Sequence, residues 1–306
     1  MSRAAAVRMG LFVAVGAVVL ALSASAGELW TENAQEAMAQ AAKEKKEKKD
    51  LLINFTGSDW CGWCIKLDKE VFSQDAFVAE ASKHFVFLKL DFPKSRPLSD
   101  EIKKQNAEWQ KKFAVRGYPT IILADATGKP YAQTIYRPGG ADAYLKHLAE
   151  LRQGREKRDA AMRKADDAQG IEKAKLLDEA LSAMEPDMVL GFYRDLVDEI
   201  LKIDADGKAG LKAKYEGWMT VKKIEEAIQG SELDEAIAMA DKALKTVGIS
   251  GETAQDILFA KSLAFYNKKD KAAAKSALEA AVKAAPNSKK AAQIKGILDR
   301  LFKDTK

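Results

Sequence analysis

The feature that most constrains this chain is a close cysteine pair, Cys61-Gly62-Trp63-Cys64, placed after a short apolar run, Leu51 to Phe55, and a turn-like stretch, Thr56-Gly57-Ser58-Asp59-Trp60. They are the only cysteines in 306 residues. A pair this close cannot close a large loop, so its chain-entropy contribution to stability is small. A scaffold stapled by disulfides would use more cysteines at long spacings. Leu51 to Phe55 reads as a buried central strand. From Cys64 the pattern turns helical, with Ile65, Leu67, Val71 and Phe72 as the apolar positions. The first cysteine therefore falls at a helix start, where unpaired backbone N–H groups and the helix dipole favour negative charge. That lowers the Cys61 thiol pKa and makes Cys61 a nucleophile toward disulfides. Cys64, one turn further on the same face, is placed to resolve the mixed disulfide. Trp60 and Trp63 flank the pair with large apolar surfaces that exclude water.

The surrounding segments predict an α/β unit. Trp30 to Lys49 reads as a helix, with Ala34, Ala37, Met38 and Ala41 at helical spacing and a Lys/Glu run covering its solvated end. Phe85 to Leu90 is a second strand, and Asp100 to Phe113 a helix reached through a polar loop holding Pro93 and Pro97. Ile121 to Ala124 is a third strand. Asp125 to Lys129 has turn chemistry with Gly128 as its left-handed residue, and Tyr131 to Tyr136 returns as a hairpin. Arg137-Pro138-Gly139-Gly140 breaks the chain before a closing helix from Asp142 to Leu151. Phe72, Phe77, Phe85 and Phe87 read as core, and His84 as a residue at a strand edge.

The N-terminus reads as an export leader. Arg3 and Arg8 precede an apolar run from Leu11 to Leu22, and Ala24-Ser25-Ala26 offers a small-residue cleavage site. The run is short for a permanent span; an uncleaved anchor is the alternative, and both readings place the rest of the chain outside the cytoplasm. Removing Arg3 and Arg8 leaves 48 basic residues against 45 acidic ones. No dense basic field remains to hold nucleic acid.

Other chemistries for the cysteine pair lack partners. Zinc takes four ligands, and the two histidines, His84 and His147, show no ligand spacing. A c-type haem would need a histidine where Ile65 stands. No metal and no organic cofactor is implied, since the cysteine pair itself stores the electrons.

The stretch Asp59-Trp60-Cys61-Gly62-Trp63-Cys64, after an apolar strand and before a helix, resembles the thioredoxin superfamily, and the approach from Gly57 is similar to its exported branch. The likeness runs from Leu51 to about Leu151. It implies a mixed central sheet with helices on both faces. It also implies a cis-proline at Pro119 within Tyr118-Pro119-Thr120, beside the cysteine pair and shaping the substrate groove with Trp60, Gly62 and Trp63. Lys89 matches a lysine lying behind the active site in relatives. Two positions depart from the pattern: Trp63 stands where thioredoxin has proline, and Asn54 where it has a buried proton-relaying aspartate. Gly62 resembles the reducing members. Reductase, isomerase and oxidase directions all stay open.

Beyond Arg152 strand patterns vanish and helical periodicity continues to the end. The expected division is a leader over 1–26, a thioredoxin-like unit over 27–152 and an all-helical unit over 153–306, with the boundary near Arg152 to Lys157. Small residues recur there: Ala174, Leu181 and Pro186; Ala236, Ala240, Ala243 and Gly248; Ala274, Leu278, Ala281 and Pro286, the last set preceded by Leu258, Ser262 and Phe265. The spacing resembles tetratricopeptide repeats, in which a proline ends the second helix of each pair; an unrelated helical bundle is the other reading. The functional expectation is an extracytoplasmic thiol–disulfide oxidoreductase. Its partners would be protein substrates, a redox partner at the membrane, and a protein partner or second copy held through the helical half. The competing class is a partner-binding repeat protein that uses the first half as scaffold.

Overall fold

A computed structural model describes residues 29–43 and 49–302; the leader expected over 1–26 lies outside the described residues. Five strands form one sheet: β1 (Trp30–Thr31), β2 (Asp50–Thr56), β3 (Phe85–Asp91), β4 (Thr120–Ala124) and β5 (Pro130–Thr134), in the order β1-β3-β2-β4-β5. β1, β3 and β2 run parallel, while β4 is antiparallel to β2 and β5 to β4. Alternation along the strands splits the core. Leu51, Ile53, Phe55 and Ile122 face one side with α1 (Ala34–Lys43). Leu52, Phe87, Ile121 and Leu123 face the other, against α2 (Gly62–Leu67), a π-turn (Asp68–Phe72), α3 (Asp75–Ala81) and the start of α5 (Gly140–Asp167). α4 (Asp100–Lys112) is capped by Ser99, whose Oγ accepts from the Ile102 N–H at 3.3 Å.

Three expectations shift. The first helix starts at Ala34, not Trp30. Trp30 pairs with Phe87 as a short edge strand, its ring 5.1 Å from Phe72 and 5.0 Å from Phe87. Asn33 then takes the Glu36 N–H and caps the helix. Ile65 is 46% exposed rather than core, because α2 turns only Cys64 and Leu67 inward. The return strand ends at Thr134, leaving Tyr136 to pack on Trp63.

The expected boundary at Arg152 to Lys157 falls inside α5, which runs unbroken for 28 residues. Arg152 and Arg155 reach back to the buried Asp50 at the start of β2, which also accepts from the Tyr131 hydroxyl at 2.8 Å. Burial pushes the Asp50 carboxyl pKa up, with Arg155 and Tyr131 pulling it back. Beyond α5 come α6 (Gly170–Leu181), α7 (Pro186–Phe192), α8 (Arg194–Ile203) and α9 (Leu211–Gln229), then α10 (Leu233–Ala243), α11 (Gly251–Asn267), α12 (Lys271–Ala284) and α13 (Lys289–Phe302). Pro186 opens α7 at its first turn instead of ending a helix, whereas Pro286 does follow the end of α12. Ala236, Ala240, Ala274, Leu278 and Ala281 are buried between helices, as their small-residue spacing predicts. At Gly217 α9 and α11 approach so closely that a Cβ would lie 2.1 Å from the Thr253 methyl. No helix among the described residues is long and apolar enough to cross a membrane.

The helical region shares a core with the sheet through α6 to the start of α9, while α9 to α13 build two further clusters of their own. Phe113 and Val115 join Met184, Met188, Val189 and Tyr193 in the same cluster that lines the sheet. The rings of Phe113 and Phe192 lie 4.6 Å apart. The buried Tyr193 hydroxyl donates to the Pro130 carbonyl at 2.6 Å and accepts from Arg158 at 2.7 Å. Tyr193→Phe strands both partners, and we expect it to lower unfolding stability by about 1–3 kcal/mol in a urea titration; an unchanged midpoint would show that the bond does not hold the seam.

Candidate functional site

β2 delivers the chain to the site. After Thr56 the backbone turns so that the Cys61 N–H donates to the Gly57 carbonyl at 2.9 Å. Cys61 then caps α2 in an extended conformation, its Sγ accepting the Cys64 N–H at 3.3 Å. A sulfur so placed is stabilised as thiolate by that N–H and by the helix dipole. Cys61 and Cys64 are both buried and joined as a disulfide, so the structure shows the oxidised state. The Tyr118–Pro119 peptide bond is cis. It lays the Tyr118 carbonyl oxygen 3.6 Å from Cys61 Sγ.

Trp60 is 42% and Trp63 58% exposed. Gly57 is what lets Trp60 lie back, since a Cβ there would be 2.5 Å from the indole. The Trp60 Nε1 donates to the Phe92 carbonyl at 2.8 Å, its ring meets Tyr118 edge-on at 5.9 Å, and the Lys94 ammonium lies 4.2 Å above it. Trp63 packs on Tyr136 at 5.3 Å, and the Tyr136 hydroxyl donates to Glu70 at 2.7 Å. Gly62 has open space where a side chain would project. Thr120 is turned inward, its hydroxyl donating to the Gly117 carbonyl at 2.8 Å, so it braces the loop. Gln110 donates to the Tyr118 hydroxyl at 2.9 Å, and burial raises that phenol's pKa.

Asn54 and Lys89 are register partners on β2 and β3. With Trp30, Glu32, Asp68 and Ser73 they line a cavity of about 300 Å³. The Asn54 Oδ1 is buried without a hydrogen-bond partner. The polar lining suits the cavity to water.

Sequence reasoning missed the network that stiffens the loop before the cysteines. Buried Asp91, at the end of β3, accepts from the Ser58 N–H and hydroxyl and from Arg96. Asp59 accepts from the N–H groups of Lys94 and Ser95 and from the Ser95 hydroxyl. Apart from Arg96, five residues from Asp91, these partners lie more than thirty residues apart, so no local pattern announces them. The Ser95 hydroxyl first, then the two N–H groups, holds the Asp59 carboxyl down at about 2. A depressed carboxyl contributes fully above its ordinary value of 3.8 and loses that contribution as pH falls through about 2. We expect Trp60 fluorescence to show a loop-loosening step between about pH 4 and pH 2. Asp59→Asn should lack it; the same step in that variant would assign it to another group.

A mixed sheet presenting a cysteine pair at a helix start against a cis-proline defines a thioredoxin-like thiol–disulfide oxidoreductase. Residues 34–150 match the family model described as a thioredoxin-like domain. A protein of Chlamydia pneumoniae named disulfide bond reductase DsbH is 33% identical over 121 residues, covering 40% of this chain and 71% of that protein. The chain belongs to the thioredoxin-like family. Thioredoxin-related protein DsbJ of the same organism is 35% identical over 95 residues, 31% of this chain but only 26% of that protein. A solved structure named DsbH oxidoreductase is 31% identical and covers 39% of this chain and 81% of its own, with a TM-score of 0.37.

Proposed function

We propose that this protein exchanges dithiol for disulfide with protein substrates outside the cytoplasm, working in the reducing direction. The observation that carries the reading is the placement of Cys61 Sγ, which takes the Cys64 N–H while facing the carbonyl of the cis-proline loop at 3.6 Å. The reducing direction is supported by the relative named a disulfide bond reductase, most of whose length is matched. The extracytoplasmic location rests on Arg3, Arg8 and the apolar run that follows them. The spacing of small residues in the helical half supports a tetratricopeptide-like array, and a unit boundary within α5 is part of the same reading.

In the reduced protein, the Cys61 thiolate attacks one sulfur of a substrate disulfide. A mixed disulfide forms and one substrate thiolate leaves. Cys64 then attacks Cys61 Sγ, closes the internal disulfide and releases the second substrate thiol, so two electrons pass to the substrate. Asn54 cannot accept the Cys64 proton. Glu32 and Asp68, which line the polar cavity beside Asn54, are the carboxylates we propose take that proton, directly or through water. Tyr118 and Pro119 provide backbone for the substrate segment, and Trp60 and Trp63 cover the reacting sulfurs. A dithiol donor, a redox partner at the membrane, returns the pair to its reduced state.

Cys61→Ser should abolish exchange. Cys64→Ser should accumulate a mixed disulfide with a cysteine-containing protein, visible as a reducible mass adduct. Full function of Cys61→Ser would leave partner binding by the helical half as the remaining role. Equilibration with glutathione buffers, read by tryptophan fluorescence, tests direction. A midpoint near roughly −270 mV supports a reductase, and one near roughly −120 mV would make the protein a disulfide donor.

A further inference from the structure

Three neighbouring depressions share lining residues and together outline a trench that starts beside the cis-proline loop and continues over the helical region. The first, of about 500 Å³, is lined by Gly117 and Thr120, which flank Tyr118-Pro119, by Gln133 to Ile135, and by Glu185 and Asp187 at the head of α7. A narrower one of about 160 Å³ shares Arg116, Glu185 and Asp187 with it and adds Trp218 and Lys222 of α9. A third, of about 810 Å³, shares Glu185, Pro186, Asp256 and Lys290 with the second and reaches Gln293 on α13.

We infer that this trench binds an extended segment of the substrate protein, on one side of the cysteine that Cys61 attacks. The inference rests on the oxidoreductase reading and adds a site to it. Continuity is the first support: Gly117 and Thr120, on either side of Tyr118-Pro119, line the near wall, and the Tyr118 carbonyl lies 3.6 Å from Cys61 Sγ, so a chain bound at the cis-proline loop passes the mouth of the trench. The second support is the sheet edge. Gln133 and Thr134 belong to β5, which among the described strands pairs with β4 alone, so its edge at these two residues, away from Pro130 whose carbonyl takes the Tyr193 hydroxyl, can accept a further strand. The third is the charge pattern. Arg116 pairs with Asp187 and Glu225, and Lys290 with Asp256, giving a lining of alternating sign. No single-charge small ligand matches that pattern, and small-molecule sites are mostly apolar; a polypeptide, with backbone groups throughout and side chains of both signs, does match. The exposed Ile135 offers a large apolar contact at the entrance.

The test uses the full chain, reduced, and peptides carrying one disulfide with tails of about 4 to about 25 residues on either the N- or the C-terminal side, at ~3.3 Å per extended residue. Oxidised glutathione is the short substrate run in parallel. Lengthening the tail on one side alone should lower KM, because the trench leaves the site in one direction. Gln293→Trp, which blocks the far end, and Lys222→Glu, which reverses a charge midway, should each raise KM for the long peptide roughly 5- to 10-fold, the loss of about one contact. Their rates with glutathione should match the parent protein. Equal KM for short and long peptides, or equal gain from tails on both sides, overturns the trench while leaving the oxidoreductase intact. Failure of the parent protein to exchange with glutathione as well as with every peptide overturns both.

Discussion

Antiparallel pairing of Phe55 with Thr120 ties the end of β2 to the beginning of β4, and everything chemical in the molecule sits just beyond that pair. Past Phe55 the chain turns into the loop that carries Cys61. Before Thr120 it has just passed the cis-proline. Opposite strand directions bring these two loops to the same edge of the sheet. β3, parallel to β2, ends at that edge too, which is why Asp91 and Phe92 are available to hold Ser58 and Trp60. A slip of one residue in the β2–β4 register would turn Ile53 and Phe55 out of their core and carry the cis-proline away from the sulfur. The apolar demand of both sheet faces therefore fixes the catalytic distance.

A second consequence of that sheet is the face left to the helical region. The ion pairs across the seam, Arg116 with Asp187 and Glu225, are conspicuous but weak. Arg116 is 63% exposed, and an exposed pair contributes about 0–1 kcal/mol. Burying one large apolar side chain contributes about 1.5–3 kcal/mol, and the seam buries Phe113, Met188, Val189 and Tyr193 together. Packing holds the two halves, and the Arg116 pairs set where α7 and α9 lie relative to the loop two residues before Tyr118.

Local patterns in the sequence reveal the parts of this structure that are local. The strand at Leu51 to Phe55, the helix start at Cys61 and the turn at Gly128 each depend on residues within a few positions, and each is found; the cis bond at Pro119, implied by the family resemblance, is found too. Trp30 misleads because its partners, Phe72 and Phe87, are distant in the chain, and their stacking outweighs the helical pattern that follows. The same holds for Pro186, whose neighbours permit either a helix end or a helix start. Asp59, Asp91 and Arg116 look like ordinary surface charges in one dimension. Their roles appear only when segments from β2, β3 and α7 meet.

The core shared by the sheet and α6 to α9 also decides how this end of the helical region can take part in exchange. Swinging it away would expose Phe113, Val115, Met188 and Tyr193 to water at once, and at about 1.5–3 kcal/mol for each large side chain such an opening would not be populated. The wall that α7 presents to the cis-proline loop is thus fixed before any substrate arrives. Preorganised surfaces avoid the ordering cost that mobile ones carry on binding. A thioredoxin-like site alone offers a substrate a short stretch of loop backbone and two indoles. Here the same loop continues into a rigid helical wall, so the residues surrounding a substrate's disulfide meet a surface of defined shape and charge on one side only.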